Sequence, residues 1–292
     1  MPSTIKSPFH AVLFATDLSD GSAAALSYAA GMATAYGAKL FLAHVIDPDN
    51  TPTDSSPSDL RNLAQSAKSE LKGICQSLLA TQGIAGEAIV RYGSVRDVIF
   101  QVQQECSADI VVLGSSGKKT GRGKTLGSIA EAVLRSMPCN VLTIGPNVER
   151  RPFSAKAQTV LFPTDLSAIS LAALPTAISM ATSLSASLLL LHVCDPYEFH
   201  SCFGHEVDCR KRLREIAAST ENQELRVAYF VEGGRIAERA LSFAKEKNVD
   251  LIVMAIHQGN LDDGTRLHGI VSDIVRESHC PVLSVAQHVE AP

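Results

Sequence analysis

Short apolar runs alternate with longer stretches of mixed polarity along the whole chain. In the first half the apolar runs are residues 11–15, 39–45, 87–91, 110–113 and 141–144. Their lengths suit strands. Their nearly unbroken apolar character suits strands covered by helices on both faces. Between them lie an Ala-rich stretch to about residue 36, a polar stretch at 58–80, a third from 94 to about 106 and a fourth at 127–136. Each has the length of a helix. Ser19 or Asp20 is placed to cap the first, Gly37 to end it and Ser94 to cap the third. Alternating strand and helix predicts a parallel, doubly wound sheet with right-handed crossovers.

The whole pattern then occurs a second time. Residues 12–48 (VLFATDLSDGSAAALSYAAGMATAYGAKLFLAHVIDP) and 160–196 (VLFPTDLSAISLAALPTAISMATSLSASLLLLHVCDP) align without a gap. Phe14, Thr16, Asp17, Leu18, Ser19, His44, Val45, Asp47 and Pro48 recur as Phe162, Thr164, Asp165, Leu166, Ser167, His192, Val193, Asp195 and Pro196. Later residues match at a shorter offset: Gly93 with Gly234, Asp109 with Asp250, Arg135 with Arg276 and Cys139 with Cys280. The second copy has therefore lost about seven residues in its middle. The join lies near 146–156, a charged, Pro-containing segment, which gives domains at 1–148 and 156–292.

Composition narrows the class. Of 292 residues, 46% are hydrophobic and 19% charged, which is globular and argues against disorder. A balance of 26 basic to 30 acidic residues offers no whole-chain positive charge for nucleic acid. The longest apolar run, 188–193, is strand-sized and far short of a membrane span, and the first residues lack a signal-peptide core. Seven scattered cysteines do not make a disulfide framework, so the expected compartment is the cytoplasm.

The chemistry-bearing stretch is 110–128, IVVLGSSGKKTGRGKTLGS. Gly114 directly follows an apolar strand, Gly117 comes three residues later, and Gly127-Ser128 opens the next helix, giving G-x2-G-x9-G-S. Glycines there let backbone approach a ligand closely. The amides of Gly127, Ser128 and Ile129 are donors at a helix N-terminus, where the helix dipole favours an anion. Lys118, Lys119, Arg122 and Lys124 add positive charge, so a polyphosphate is the natural guest. Any one of these glycines alone reads as a turn residue; the four positions together do not. The segment GRGKT imitates a P-loop, but the first glycine of that motif would fall on Lys118. The dinucleotide fingerprint is absent after the first strand.

This constellation resembles the ATP-binding motif of the universal stress proteins, G-2x-G-9x-G-S/T, and the repeated TDLS resembles that family's opening motif. The resemblance extends over nearly the whole chain, twice. It implies two tandem α/β domains of adenine-nucleotide α-hydrolase-like fold, each with strand order 3-2-1-4-5. The ligand crevice then lies between strands 1 and 4, where the winding reverses. It further implies ATP in the first copy. Asp17, with backbone near Ala15 and Thr16, lies by the adenosine. Val45 reads the adenine edge, Gly114 packs under the ribose, and Leu113 is a further nucleotide-binding residue. Gly117, Gly127, Ser128, Ile129 and Ala130 surround the phosphates. Mg²⁺ would bridge phosphates rather than occupy a protein cage. The family also commonly pairs through its last strands, so 141–144 and 282–285 are expected to join the two copies about a pseudo-twofold, with a homodimer of the tandem chain beyond that.

The second copy departs from the motif. Ala255, Gln258, His268 and Gly269 stand for Gly114, Gly117, Gly127 and Ser128, and Asp262 and Asp263 replace the basic loop. A slip of one would make Gly269 a helix-start glycine without its serine. ATP is therefore expected in the first copy only. His200, Cys202, His205 and Cys209 are Zn²⁺-competent types within ten residues, but their spacing matches no common zinc motif. His44 with His192, and Cys139 with Cys280, recur at repeat positions and read as structural. No catalytic constellation stands out. Function is expected through nucleotide occupancy, which could reorder residues 117–126, and through an unknown protein partner. A slow ATPase and a nucleotide-independent scaffold, with or without zinc, are the alternatives.

Overall fold

The computed structural model describes residues 9–19, 21–48, 51, 56–115, 126–149, 153, 158–194, 203–221, 223–258 and 267–288. The first copy contributes β1 (Ala11–Thr16), β2 (Lys39–Ile46), β3 (Gly86–Tyr92), β4 (Ile110–Gly114) and β5 (Asn140–Ile144). The second contributes β6 (Thr159–Pro163), β7 (Ser187–Cys194), β8 (Val227–Gly233), β9 (Leu251–Gln258) and β10 (Val282–His288). They join in one ten-stranded sheet ordered β3-β2-β1-β4-β5-β10-β9-β6-β7-β8. Each half has the expected order 3-2-1-4-5 and is parallel throughout. The halves meet where β5 pairs antiparallel with β10, with Leu142 opposite Leu283, Thr143 opposite Val282 and Val141 opposite Ser284. Leu142 and Leu283 are repeat partners, so the pseudo-twofold passes between them.

Helices cover both faces: α1 (Ser22–Tyr36), α2 (Pro57–Gln82), α3 (Val95–Cys106) and α4 (Ser128–Ser136), then α5 (Ala168–Ala172), α6 (Leu174–Ser183), α7 (Phe203–Thr220), α8 (Ile236–Glu246) and α9 (Leu267–Glu277). All six residues of β1 are buried because alternate side chains meet different helix layers. Val12 and Phe14 pack with α1 and α2, whereas Leu13 and Ala15 pack with α3 and α4. Each apolar layer also continues into the second copy, through Phe162 and Met180 on one face and Leu161 and Phe243 on the other. The cores are thus arranged by sheet face, not by repeat.

Local chemistry sets the helix limits. Gly37 ends α1 in the left-handed region at φ 62°. Ser56 and Asp59 form a reciprocal capping box at α2, ahead of Pro57. Ser19 does not cap α1; Gly21 holds that position, and Asp20 lies outside the described residues. The reason is local: the Ser19 hydroxyl donates to Asp17 Oδ1, and Ser19 supplies only its carbonyl, to Ser22. Ser167, its repeat partner, does cap α5 by accepting from Ser170 N at 3.1 Å. Ser94 occupies the cap position of α3 without accepting a bond. Pro175, at the start of α6, accounts for the break from α5, since proline cannot continue the backbone hydrogen-bond ladder; α1 carries Ser27 at that position.

Residues that recur have the same work in both copies. Asp109 Oδ2 accepts from Ala11 N at 2.9 Å, and Asp250 Oδ2 accepts from Gln158 N at 2.8 Å, each fastening the start of its first strand. Burial pushes the Cys139 thiol up to about 12, so it stays neutral at physiological pH, and Cys280 is fully buried. Both fit packing roles. Phe153, between the repeats, lies directly on Gly31 of α1. A Cβ at Gly31 would stand 2.4 Å from the Phe153 carbonyl oxygen. The Tyr28 ring is beside it, 6.5 Å from the Phe153 ring centre.

Gly31→Val is therefore expected to lower unfolding stability by about 1–3 kcal/mol through overpacking. Gly73→Ala, at an exposed α2 position with open space around it, is expected to raise it by about 0.5–1 kcal/mol. Urea unfolding of both variants checks the pair of signs.

Candidate functional site

The carboxyl ends of β1 and β4 flank a cleft of about 680 Å³. These strands are neighbours, and the chain leaves them toward opposite sides of the sheet, so a crevice opens between them. Its first wall is the turn after β1. Thr16 Oγ1 accepts from Leu18 N and shares a hydrogen bond with Ser22 Oγ, both at 2.9 Å. Asp17 Oδ1 accepts from Ser19 N at 3.0 Å. These bonds hold Leu18 at φ 58°, a left-handed conformation unusual for leucine. His44 Nδ1 donates to the Thr16 carbonyl at 2.9 Å, which fixes its tautomer and ties β2 to the turn.

The second wall is where β4 ends. After Gly114, Ser115 N donates to the Ile144 carbonyl, and the Ser115 carbonyl accepts from Gly127 N, both at 2.9 Å. That second bond draws the end of β4 to the start of α4. Gly127 is the cap residue of α4 and offers no side-chain acceptor. The first intrahelical bond runs from Glu131 N to Gly127 O at 2.9 Å. The amides of Ser128, Ile129 and Ala130 therefore have no intrahelical acceptor and stand at the positive end of the helix dipole.

Ala15, Thr16, Asp17, Val45, Leu113, Gly114, Gly127, Ser128, Ile129 and Ala130 all line this one cleft. Gly117 and the basic residues 118, 119, 122 and 124 lie outside the described residues, as does nearly all of the segment 117–126 expected to reorder. The structure also adds a wall absent from the sequence reading: Leu63, Ser66, Ala67 and Glu70 of α2, with Val95 and Ile99 of α3. Their spacings, 63-67-70 and 95-99, are those of single helix faces and were legible as such. What no pattern reveals is that those faces turn toward β1 and β4. Leu63 and Ile129 are exposed large apolar side chains at the cleft, 47% and 37% accessible. The described lining includes the carboxylates Asp17, Asp47 and Glu70 but neither Lys nor Arg. Among described residues, the cleft's attraction for an anion thus rests on backbone amides at one end. The apolar side chains suit a flat, weakly polar group at the other.

The second copy reproduces the first wall and not the second. Thr164 Oγ1 accepts from Leu166 N at 3.0 Å, Ser170 Oγ donates to it at 2.9 Å, and His192 Nδ1 donates to Thr164 O at 2.8 Å. But β9 does not stop at Ala255. It continues to Gln258, paired with β10 as far as His288. Gly269 is the third residue of α9, not its cap. Of the zinc-competent set, His200, Cys202 and the His205 side chain lie outside the description, and Cys209 is buried in the apolar layer. No group of three or more metal-ligating side chains occurs among the described residues.

Two doubly wound α/β units sharing one sheet, with a cleft at the first unit's switch point, define a class of tandem doubly wound α/β proteins. Both halves match the model of the universal stress protein family, over residues 8–145 and 156–286, and the chain belongs to that family. Universal stress protein A homolog 1 of Coxiella burnetii is 30% identical over 137 residues, 46% of this chain and 94% of its own length. A universal stress protein from Archaeoglobus fulgidus superposes with a TM-score of 0.77 at 20% identity, covering 97% of this chain and 100% of its own. A functionally unknown protein from Pseudomonas aeruginosa gives 0.66 at 16% identity, over 95% and 92%. Among described residues no helix is long and apolar enough to cross a membrane.

Thr16→Val removes the acceptor of Leu18 N and leaves that amide orphaned, so it is expected to cost about 1–3 kcal/mol. Thr164→Val removes the same bond in the second copy and is expected to cost a similar amount. Chemical unfolding of the two variants measures both; a loss at one position only would contradict a shared structural turn.

Proposed function

We propose that the first copy, residues 1–148, binds ATP in the cleft between β1 and β4 and that the chain acts as a stress-response regulator through nucleotide occupancy. The observation that carries this reading is the pairing, in one cleft, of an uncapped helix N-terminus with apolar walls. The amides of Ser128, Ile129 and Ala130 receive the phosphates, with the Ser128 hydroxyl beside them. Leu113 and Gly114 lie under the ribose. Val45 offers its main chain to the adenine edge, and Asp17, with Ala15 and Thr16, bounds the adenosine end. Gly117 joins the phosphate set on the strength of its motif position. Mg²⁺ would accompany the triphosphate and help to neutralise its charge.

The second unit, 156–292, has a different part. With Ala255 in place of Gly114, β9 runs on through the region where β4 gives way to the ligand. That supports ATP in the first unit alone, with the second serving as its fixed partner. Because β5 and β10 are already paired, a homodimer of the whole chain would form through other surfaces, such as the outer edges at β3 and β8.

Gly127→Glu sets a carboxylate beside the proposed phosphates. ATP affinity, measured by calorimetry on the full chain, is expected to fall at least roughly tenfold. The variant's melting temperature without nucleotide should change little. Equal affinity of variant and parent would remove the helix terminus from the site.

A further inference from the structure

Ser115 is not one of the defined motif positions, yet it lies at the anion-attracting end of the cleft, bonded to the residue that starts α4. It is 2% accessible and lines the cleft. Both of its backbone groups are committed: the amide to Ile144 O and the carbonyl to Gly127 N. Its hydroxyl is buried and has no hydrogen-bond partner among the described residues. A buried hydroxyl is normally paired, because leaving it unpaired forfeits the hydrogen bonds it made in water. Here a partner of stated chemistry is at hand. The Ser115 carbonyl holds the cap residue of α4, so its side chain belongs to the same few atoms of structure that present the free amides of Ser128, Ile129 and Ala130.

The repeat supplies a contrast. The residue matching Ser115 in the second copy is Ile256, which is buried in an apolar layer where β9 pairs with β10. An apolar side chain is retained where the strand runs on, and a hydroxyl occurs where the cleft opens. Nothing in strand packing calls for the hydroxyl in the first copy.

We infer that Ser115 is a specificity-determining residue whose hydroxyl donates a hydrogen bond to an anionic phosphate oxygen of the bound nucleotide. The inference rests on the ATP reading of this cleft. A hydroxyl prepared in this way favours a ligand with a polar group at that point over one that presents an apolar group. No described protein group competes for the hydroxyl, so it is available to the ligand.

The test compares the full-length parent with Ser115→Ala by ATP calorimetry and by thermal unfolding without nucleotide. Removing an unpaired hydroxyl should leave the melting temperature unchanged or slightly raised, while the dissociation constant for ATP rises roughly tenfold. A melting temperature that falls would mark the serine as structural and overturn the assignment. An unchanged dissociation constant, with the parent binding ATP, would overturn it while leaving the nucleotide reading intact. Absence of ATP binding by the parent itself would overturn both.

Discussion

A five-stranded doubly wound sheet ends at a strand whose outer backbone N–H and C=O groups need partners. This chain meets that need within itself, by pairing β5 with β10 about a pseudo-twofold at Leu142 and Leu283. Much else follows from that pairing. The two sheets become one, and the apolar layers on each face run through both repeats. Because the pairing is antiparallel while each half is parallel, the carboxyl ends of the two sets of strands point in opposite directions. The two switch points therefore lie at opposite ends of the sheet and cannot share a ligand. The symmetry is also imperfect at its own axis: Thr143 Oγ1 donates to Val282 O at 3.2 Å, whereas its repeat partner Ser284 has a buried hydroxyl with no partner among the described residues.

Imperfect symmetry becomes asymmetry at the clefts. Both copies keep the turn built on Thr-Asp-Leu-Ser and the histidine that anchors it, since that turn stabilises the fold whatever the crevice holds. They part at two glycines. Gly114 is the last residue of β4, and Gly145 directly follows β5; the matching residues are Ala255 and Ala286. In the second copy both strands run on together, to Gln258 and His288. The backbone that turns aside to form a wall in the first copy is instead spent on sheet hydrogen bonds in the second. Loss of the motif is thus a change of backbone course as well as a loss of side-chain or backbone donors.

Periodicity and repetition made the fold legible. The strand order, the two-sided burial and the pairing of last strands all followed from the repeat and the family resemblance. The described motif residues were legible as a group as well, because a glycine that ends a strand and another that opens a helix are local features. The α2 wall was not. Leu63, Ala67 and Glu70 share a helix face, but only tertiary packing turns that face toward the cleft. Ser19 departs from its expected capping role for a similar reason: its hydroxyl is taken by Asp17, a competition that spacing alone does not reveal. The significance of Ser115 lies in a buried hydroxyl without a partner among the described residues, which only the folded chain reveals.

The most direct test of one nucleotide site in a two-domain chain is a crystal structure of the full-length protein grown with saturating ATP and Mg²⁺. The account predicts nucleotide density in the cleft between β1 and β4, with phosphates at the N-terminus of α4, and none between β6 and β9. Nucleotide at equal occupancy in both crevices, or in neither, would contradict it.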